Sequence, residues 1–207
     1  ECSESILRRG GCGKMRMQLR TSQRLFHVAQ PSAKTVHFKS KIGSSKERDA
    51  MSIATLNDIF FATVERNLDQ VILYRENGKW LPISAREFGH NVVRTAHALH
   101  ALGIKPGDRV AILSENRPEW STADMAILLL KAVTVPLYTT LTAEQTAFAL
   151  ADSGCRVIFL SSDQQLHKVL SILPQTRIEK IVTMDSLEFS GDLAPFADTC
   201  VNMRQIT

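Results

Sequence analysis

The sequence has no apolar run near the ~20 residues that a membrane-spanning helix needs. The longest beyond residue 50, Met125–Leu130, stops at Lys131. Its four cysteines, Cys2, Cys12, Cys155 and Cys200, form no CxxC pair and no zinc-like spacing. They give no basis for a disulfide framework or a zinc module. Cys155, at the start of an apolar run, reads as a buried free thiol in a reducing compartment. There is no GxGxxG, no HExxH and no nucleophile elbow. Gly10, Gly11 and Gly13 before Lys14 do not make a phosphate loop, because Arg8 and Met15 occupy the places of its first glycine and its Ser/Thr.

Positive charge is also scarce where a core could form. The net charge of +4 comes from the first 50 residues, which hold 11 Lys/Arg against 4 Asp/Glu. Residues 51–207 hold 14 against 17. A duplex-binding face needs clustered cations, so nucleic acid is excluded as a partner of the folded part. Residues 1–50 show no sustained periodicity and read as a disordered basic tail. Because the chain opens on Glu1 and not Met, the tail is read as upstream read-through before a start at Met51. The alternative is a start at Met15, where MRMQLRTSQRLFHVAQPS is Arg-bearing and free of acids, as mitochondrial presequences are. The expected location is otherwise the cytoplasm, with peripheral membrane association left open.

From Thr55 the chain becomes regular. Thr55 with Asp58 starts a helix with Leu56, Ile59, Phe60, Thr63 and Val64 on one stripe. Val71–Arg75 and Trp80–Ile83 flank an Asn77-Gly78 turn, the signature of a β-hairpin. Ser84 and Glu87 form a capping box for a long helix closed by Gly103. That helix carries His90, His97 and His100. The first two lie about 10.5 Å apart along its axis, too far to share a metal. The second two have no Cys, Asp or Glu within a turn, so the three read as solvated and no metal site is expected.

Three short apolar runs follow, Val110–Leu113, Val133–Leu137 and Val157–Leu160, and then a fourth, Ile178–Met184. They lack strict alternation, as strands buried on both faces do. Helical segments Pro118–Lys131, Thr142–Asp152 and Asp163–Ile172 separate them, Thr142 with Gln145 being another capping box. A repeat of about 22–24 residues fits a βαβ unit with right-handed crossovers. The fold class is therefore α/β, a mostly parallel sheet with helices on both faces. Trp120 and Ile127, seven residues apart, share the buried face of the first of these helices. Residues 51–198 are taken as the folded unit and 199–207 as an irregular end.

In open α/β sheets, ligands bind at the carboxyl edge of the strands. Asn116 and Arg117 follow the first buried strand there; Tyr138, Thr139 and Thr140 follow the second. These five are the candidate substrate-proximal residues. The competing structural reading has Asn116 and Arg117 closing a turn, with Arg117 paired to Glu119.

The strings GIKPGDRVAILSENRPEW, AILLLKAVTVPLYTTLTAEQ and ADSGCRVIFL resemble the N-terminal part of the adenylate-forming (AMP-binding) enzymes, most of all long-chain fatty acyl-CoA synthetases. The resemblance runs from about Leu56 to Ala197 and is most specific over Lys105–Leu141. It implies a parent enzyme that joins a fatty acid to ATP with Mg2+, releases pyrophosphate and passes the acyl group to CoA. It also places the segment Tyr138–Thr140 toward the CoA side. The family's Ser/Thr/Gly-rich phosphate loop, its later adenine and metal motifs and its C-terminal lysine find no counterpart between Met51 and Thr207. No catalytic residue is therefore assigned, these residues alone are expected to be inactive and to bind ATP poorly, and their uncovered apolar faces are expected to promote self-association. Two alternatives stay open: a stand-alone doubly wound binding module, or another adenylating branch acting on aryl or amino acids. The acidic pair that a response-regulator-like module needs is missing, since Asp108 precedes its strand.

Overall fold

The computed structural model describes residues 53–186 and 191–204. The disordered tail expected for residues 1–50 lies outside them.

The first helix, α1 (Leu56–Glu65), starts at a reciprocal capping box: the Thr55 hydroxyl accepts from the Asp58 amide, and the Asp58 carboxylate accepts from the Thr55 amide. Strands β1 (Ile72–Glu76) and β2 (Lys79–Ile83) form the expected antiparallel hairpin. Asn77 and Gly78 both take positive φ, 49° and 80°, which the tight turn between right-twisted strands requires. Helix α2 (Ala85–Ala101) follows, with Ser84 accepting from the Glu87 amide. Only that half of the predicted capping box forms. The Glu87 side chain instead borders the cleft described below.

The second sheet has five parallel strands: β3 (Arg109–Leu113), β4 (Val133–Leu137), β5 (Val157–Leu160), β6 (Lys180–Thr183) and β7 (Cys200–Asn202), in the order β4-β3-β5-β6-β7. Helix α3 (Pro118–Leu129) joins β3 to β4, α4 (Ala143–Ser153) joins β4 to β5, and α5 (Asp163–Ile172) leads toward β6. Because side chains alternate along a strand, Val110 and Ile112 face one layer while Ala111 and Leu113 face the other. The first layer packs α1, α2 and α3 over Val110, Ile112, Val157, Phe159 and Val182. The second packs α4 and α5 over Ala111, Leu113, Ile158, Leu160 and Ile181. Both faces are covered, and β3 and β5 are as deeply buried as their apolar runs imply.

Two expectations need correction. Strand β4 is an edge strand with Val133 49% exposed, not one buried on both faces. Its composition reads like that of the central strands, but its outer side has no partner among the described residues. The Val133 amide bonds the Asp108 carbonyl across to β3. Alternation then turns residue 135 inward and residues 134 and 136 outward, so Pro136, which has no N–H, sits where a donor would otherwise invite another strand. The second correction concerns residues 199–207. Cys200–Asn202 is a strand paired with Ile181–Thr183, not an irregular end. Three residues are too few to show a period.

Helices α1 and α2 approach closely at Gly89. A Cβ there would meet Val64 Cγ2 at 2.9 Å and Cγ1 at 3.2 Å. Gly89→Leu is therefore expected to push the helices apart and cost about 2–3 kcal/mol, beyond any gain in helix propensity. Urea unfolding reads it directly; an unchanged midpoint would show that α1 yields freely.

Cys155 and Cys200 are buried and form no disulfide. Burial pushes the Cys155 thiol up, against the Ser153 hydrogen bond and the Arg109 charge. Burial likewise pushes Cys200 up to about 11, against the Lys180 charge. A thiol whose folded value lies above its unfolded 9.0 contributes stability that is complete below pH 9 and lost as pH rises through about 11. The stability of the native chain relative to Cys200→Ala should shrink across that window. A difference that stays constant from pH 8 to 11 would contradict this.

Candidate functional site

The carboxyl edge of the five-stranded sheet opens into a cleft of about 1020 Å³. Its floor is Phe88 from α2 with Met184 and Met203 from the ends of β6 and β7, all buried. Glu87, Asn91 and Thr95 of α2, spaced four residues apart and so on one face, line one wall. The hairpin borders another side through Tyr74, Arg75 and Trp80, and the turn Glu115–Glu119 closes it at β3. Thr95 is fully buried and its hydroxyl has no hydrogen-bond partner among the described residues.

Arg117 organises this edge. It stands just before α3 and makes no side-chain cap; Pro118 takes the first helical position. Its guanidinium donates from Nε to Glu119 Oε2 at 2.8 Å, from Nη1 to the Ser161 carbonyl at 3.1 Å, and from Nη2 to Asp185 Oδ1 at 2.8 Å. One side chain thus ties the ends of β3, β5 and β6. Burial opposes the charged guanidinium, but the hydrogen bonds and charges of Asp185 and Glu119 outweigh it and raise its pKa further. The edge continues to β7: Asn202 Nδ2 donates to the Asp185 carbonyl at 2.6 Å, and Asn202 Oδ1 accepts from the Arg204 amide at 2.8 Å.

The five sequence candidates therefore separate. Asn116 and Arg117 line the cleft. Asn116 is exposed and makes no hydrogen bond among the described residues. Arg117 is committed to protein partners, as the pairing with Glu119 foresaw. Tyr138, Thr139 and Thr140 do not line the cleft; they lead into α4, on the other layer. There the Thr139 carbonyl accepts from Lys168 Nζ at 2.8 Å and the Leu141 carbonyl from the same Nζ at 2.8 Å. Gln165 Nε2 approaches the Thr139 carbonyl at 3.5 Å. Sequence reasoning missed Lys168, Gln165, Asp185 and Asn202. Gln165 and Lys168 sit three apart on one helix face, but nothing local says what that face meets.

Acidic side chains outnumber cationic ones around the cleft. Glu76, Glu87, Glu115, Glu119 and Asp185 border it against Arg75, Arg117 and Arg204, and Arg117 is already paired. Among the described residues, no group of three or more His, Cys, Asp or Glu is placed to hold a metal ion. The three helix histidines are exposed, as expected.

Comparison with known proteins gives the family. The AMP-binding enzyme family matches residues 60–201, more than half of the chain. The chain belongs to the AMP-binding enzymes. Among relatives, a long-chain-fatty-acid–CoA ligase of Mycobacterium bovis is 36% identical over 110 residues, 52% of this chain and 18% of that protein. A fatty acyl-CoA synthetase A of Dictyostelium discoideum is 37% identical over 113 residues, 55% of this chain and 16% of that protein. The matched part thus spans under a fifth of these AMP-binding relatives. In fold, the chain is similar to the crystal structure of a putative long-chain-fatty-acid CoA ligase of Rhodopseudomonas palustris, with a TM-score of 0.60, 24% identity, and coverage of 74% of this chain and 36% of that one. The adenylation domain of a carboxylate reductase of Mycobacterium chelonae superposes with a TM-score of 0.61 at 21% identity, covering 73% of this chain and 28% of that one. The α/β fold read from the sequence is therefore one found in AMP-binding enzymes. No helix among the described residues is long and apolar enough to cross a membrane.

Proposed function

We propose that this chain is part of an ATP-dependent long-chain fatty acid–CoA ligase, which converts fatty acid, ATP and CoA to acyl-CoA, AMP and pyrophosphate. The supporting observation is the family match over residues 60–201 together with relatives named as fatty-acid ligases at 36–37% identity. In this reading ATP, Mg2+ and CoA are ligands of the whole enzyme. The residues here contribute the sheet edge: Asn116 offers a free amide to substrate, Arg117 holds the edge rigid, and Tyr138–Thr140 border the thiol side. The 207 residues alone do not turn over, because adenylation requires stabilising charge on the transferring phosphates, and the cleft is bordered mainly by acids.

Two assays test this. In the first, the 207-residue chain with ATP, Mg2+, CoA and palmitate should release no pyrophosphate above background; turnover would overturn its inactivity. In the second, residues 60–201 replace the matched segment of the Mycobacterium bovis ligase. A folded chimera should release pyrophosphate with palmitate. Release only with an aryl or amino acid would overturn the fatty-acid substrate, and no release with any carboxylate would overturn the ligase role.

A further inference from the structure

We propose that Lys168 is a positioning residue that fixes the Tyr138–Leu141 loop at the sheet edge. This rests on the reading above that the loop borders substrate. The loop leaves the edge strand β4, so it lacks the second neighbouring strand that steadies the ends of β3 and β5. Tyr138 is 80% exposed, and no hydrogen bond of its hydroxyl holds it among the described residues. What holds the loop comes from 27 and 29 residues further along the chain. Lys168 Nζ donates to the Leu141 and Thr139 carbonyls, both at 2.8 Å, and Gln165 Nε2 approaches the second of them. A single ammonium bridging two carbonyls on alternate residues fixes the direction of the peptide units between them. Charge-assisted bonds of this length are about twice as strong as neutral ones. The alkyl stem of the half-buried Lys168 crosses from α5, so the loop is tied to the layer that packs beneath the sheet. Arg117 serves the opposite layer in the same way, with one cation and three partners. The two loops that flank the substrate edge are thus each held by one cationic side chain.

Amide hydrogen exchange on the 207-residue chain tests the clamp without any substrate. The Leu141 amide bonds the Tyr138 carbonyl at 3.1 Å and the Thr142 amide bonds Gln145 Oε1 at 3.0 Å, so both report on the loop. In Lys168→Met, which keeps the stem, these two amides should exchange about 10- to 100-fold faster. In Lys168→Arg, whose forked donors can still meet two carbonyls, they should stay near the native rate. The Ser161 amide, bonded to Leu113 across the sheet, should not change in either variant. Unchanged exchange at Leu141 and Thr142, or faster exchange that includes Ser161, overturns the clamp. Kinetics of the ligase chimera test the positioning. Lys168→Met should raise KM for CoA about tenfold or more, with recovery in Lys168→Arg. Faster loop exchange without a change in that KM overturns the positioning role. A chimera inactive with Lys168 intact overturns the ligase reading and the positioning role with it, while the exchange result still decides the clamp.

Discussion

Replacing Phe159 by alanine is expected to destabilise the fold by about 3–5 kcal/mol, the range for truncating a fully buried aromatic. Phe159 is the largest fully buried side chain among the described residues, at 0% exposure within β5. Its backbone pairs with Ile112 on one side and Val182 on the other, and its ring packs in the layer under α2 and α3. Neither flanking strand can shift to fill the void without breaking its own ladder, which places the cost high in the range. Against a typical total of about 5–15 kcal/mol, that is a large share of the stability. Urea unfolding should show a lower midpoint with an unchanged slope. Phe148→Ala, at 73% exposure, supplies the control and should fall within about 0.5 kcal/mol. Equal shifts for the two would mean that β5 is not central. Trp120 falls between them. Its helical spacing alone would give it a full-core cost, but it is only half-buried, so Trp120→Ala should cost about 2–3 kcal/mol.

The second large effect is at Arg117, where alanine should cost about 2–4 kcal/mol, because hydrogen bonds to charged groups contribute about 1.5–3 kcal/mol and their losses here are not additive. The side chain is 25% exposed, so screening is incomplete, and its loss strands Asp185 and the Ser161 carbonyl as well as Glu119. Arg117→Lys should recover only part of this, since one ammonium cannot reproduce a fork that reaches three acceptors in different directions. The ion pair of Arg156 with Glu179 at 2.7 Å is as short but sits at the opposite edge, with Glu179 57% exposed. Glu179→Ala should stay within about 1 kcal/mol. If the two alanine variants lose equal stability, Arg117 is an ordinary surface pair and not the staple of the edge.

Much of the fold was legible because its signals are local. Thr55, Ser84 and Thr142 each cap a helix within a few residues of themselves, and Asn77-Gly78 fixes its own turn. Helix α5 falls on the predicted residues, Asp163–Ile172. Apolar runs showed which segments are strands but not their neighbours, so β4 looked as central as β5. The candidate site was read in part. Asn116 and Arg117 do reach the cleft, because a strand end followed by Pro118 and a helix places them on the edge. The partners that decide their chemistry lie elsewhere in the chain: Asp185 is 68 residues from Arg117, and Lys168 is 29 from Thr139. No periodicity carries information over such separations.

The strand order β4-β3-β5-β6-β7 also bears on how the chain acquires its structure as it is made. Domains fold largely as the polypeptide emerges, N-terminal part first. Here β3 is made first and β4 joins one side of it. Next β5 joins the other side, followed in turn by β6 and β7. Every new strand therefore meets an edge that already exists, and none has to be threaded between two strands already bonded to each other. A ribosome releasing this sequence leaves one growing edge waiting, while the opposite edge is closed early by a strand whose outward proline discourages further additions.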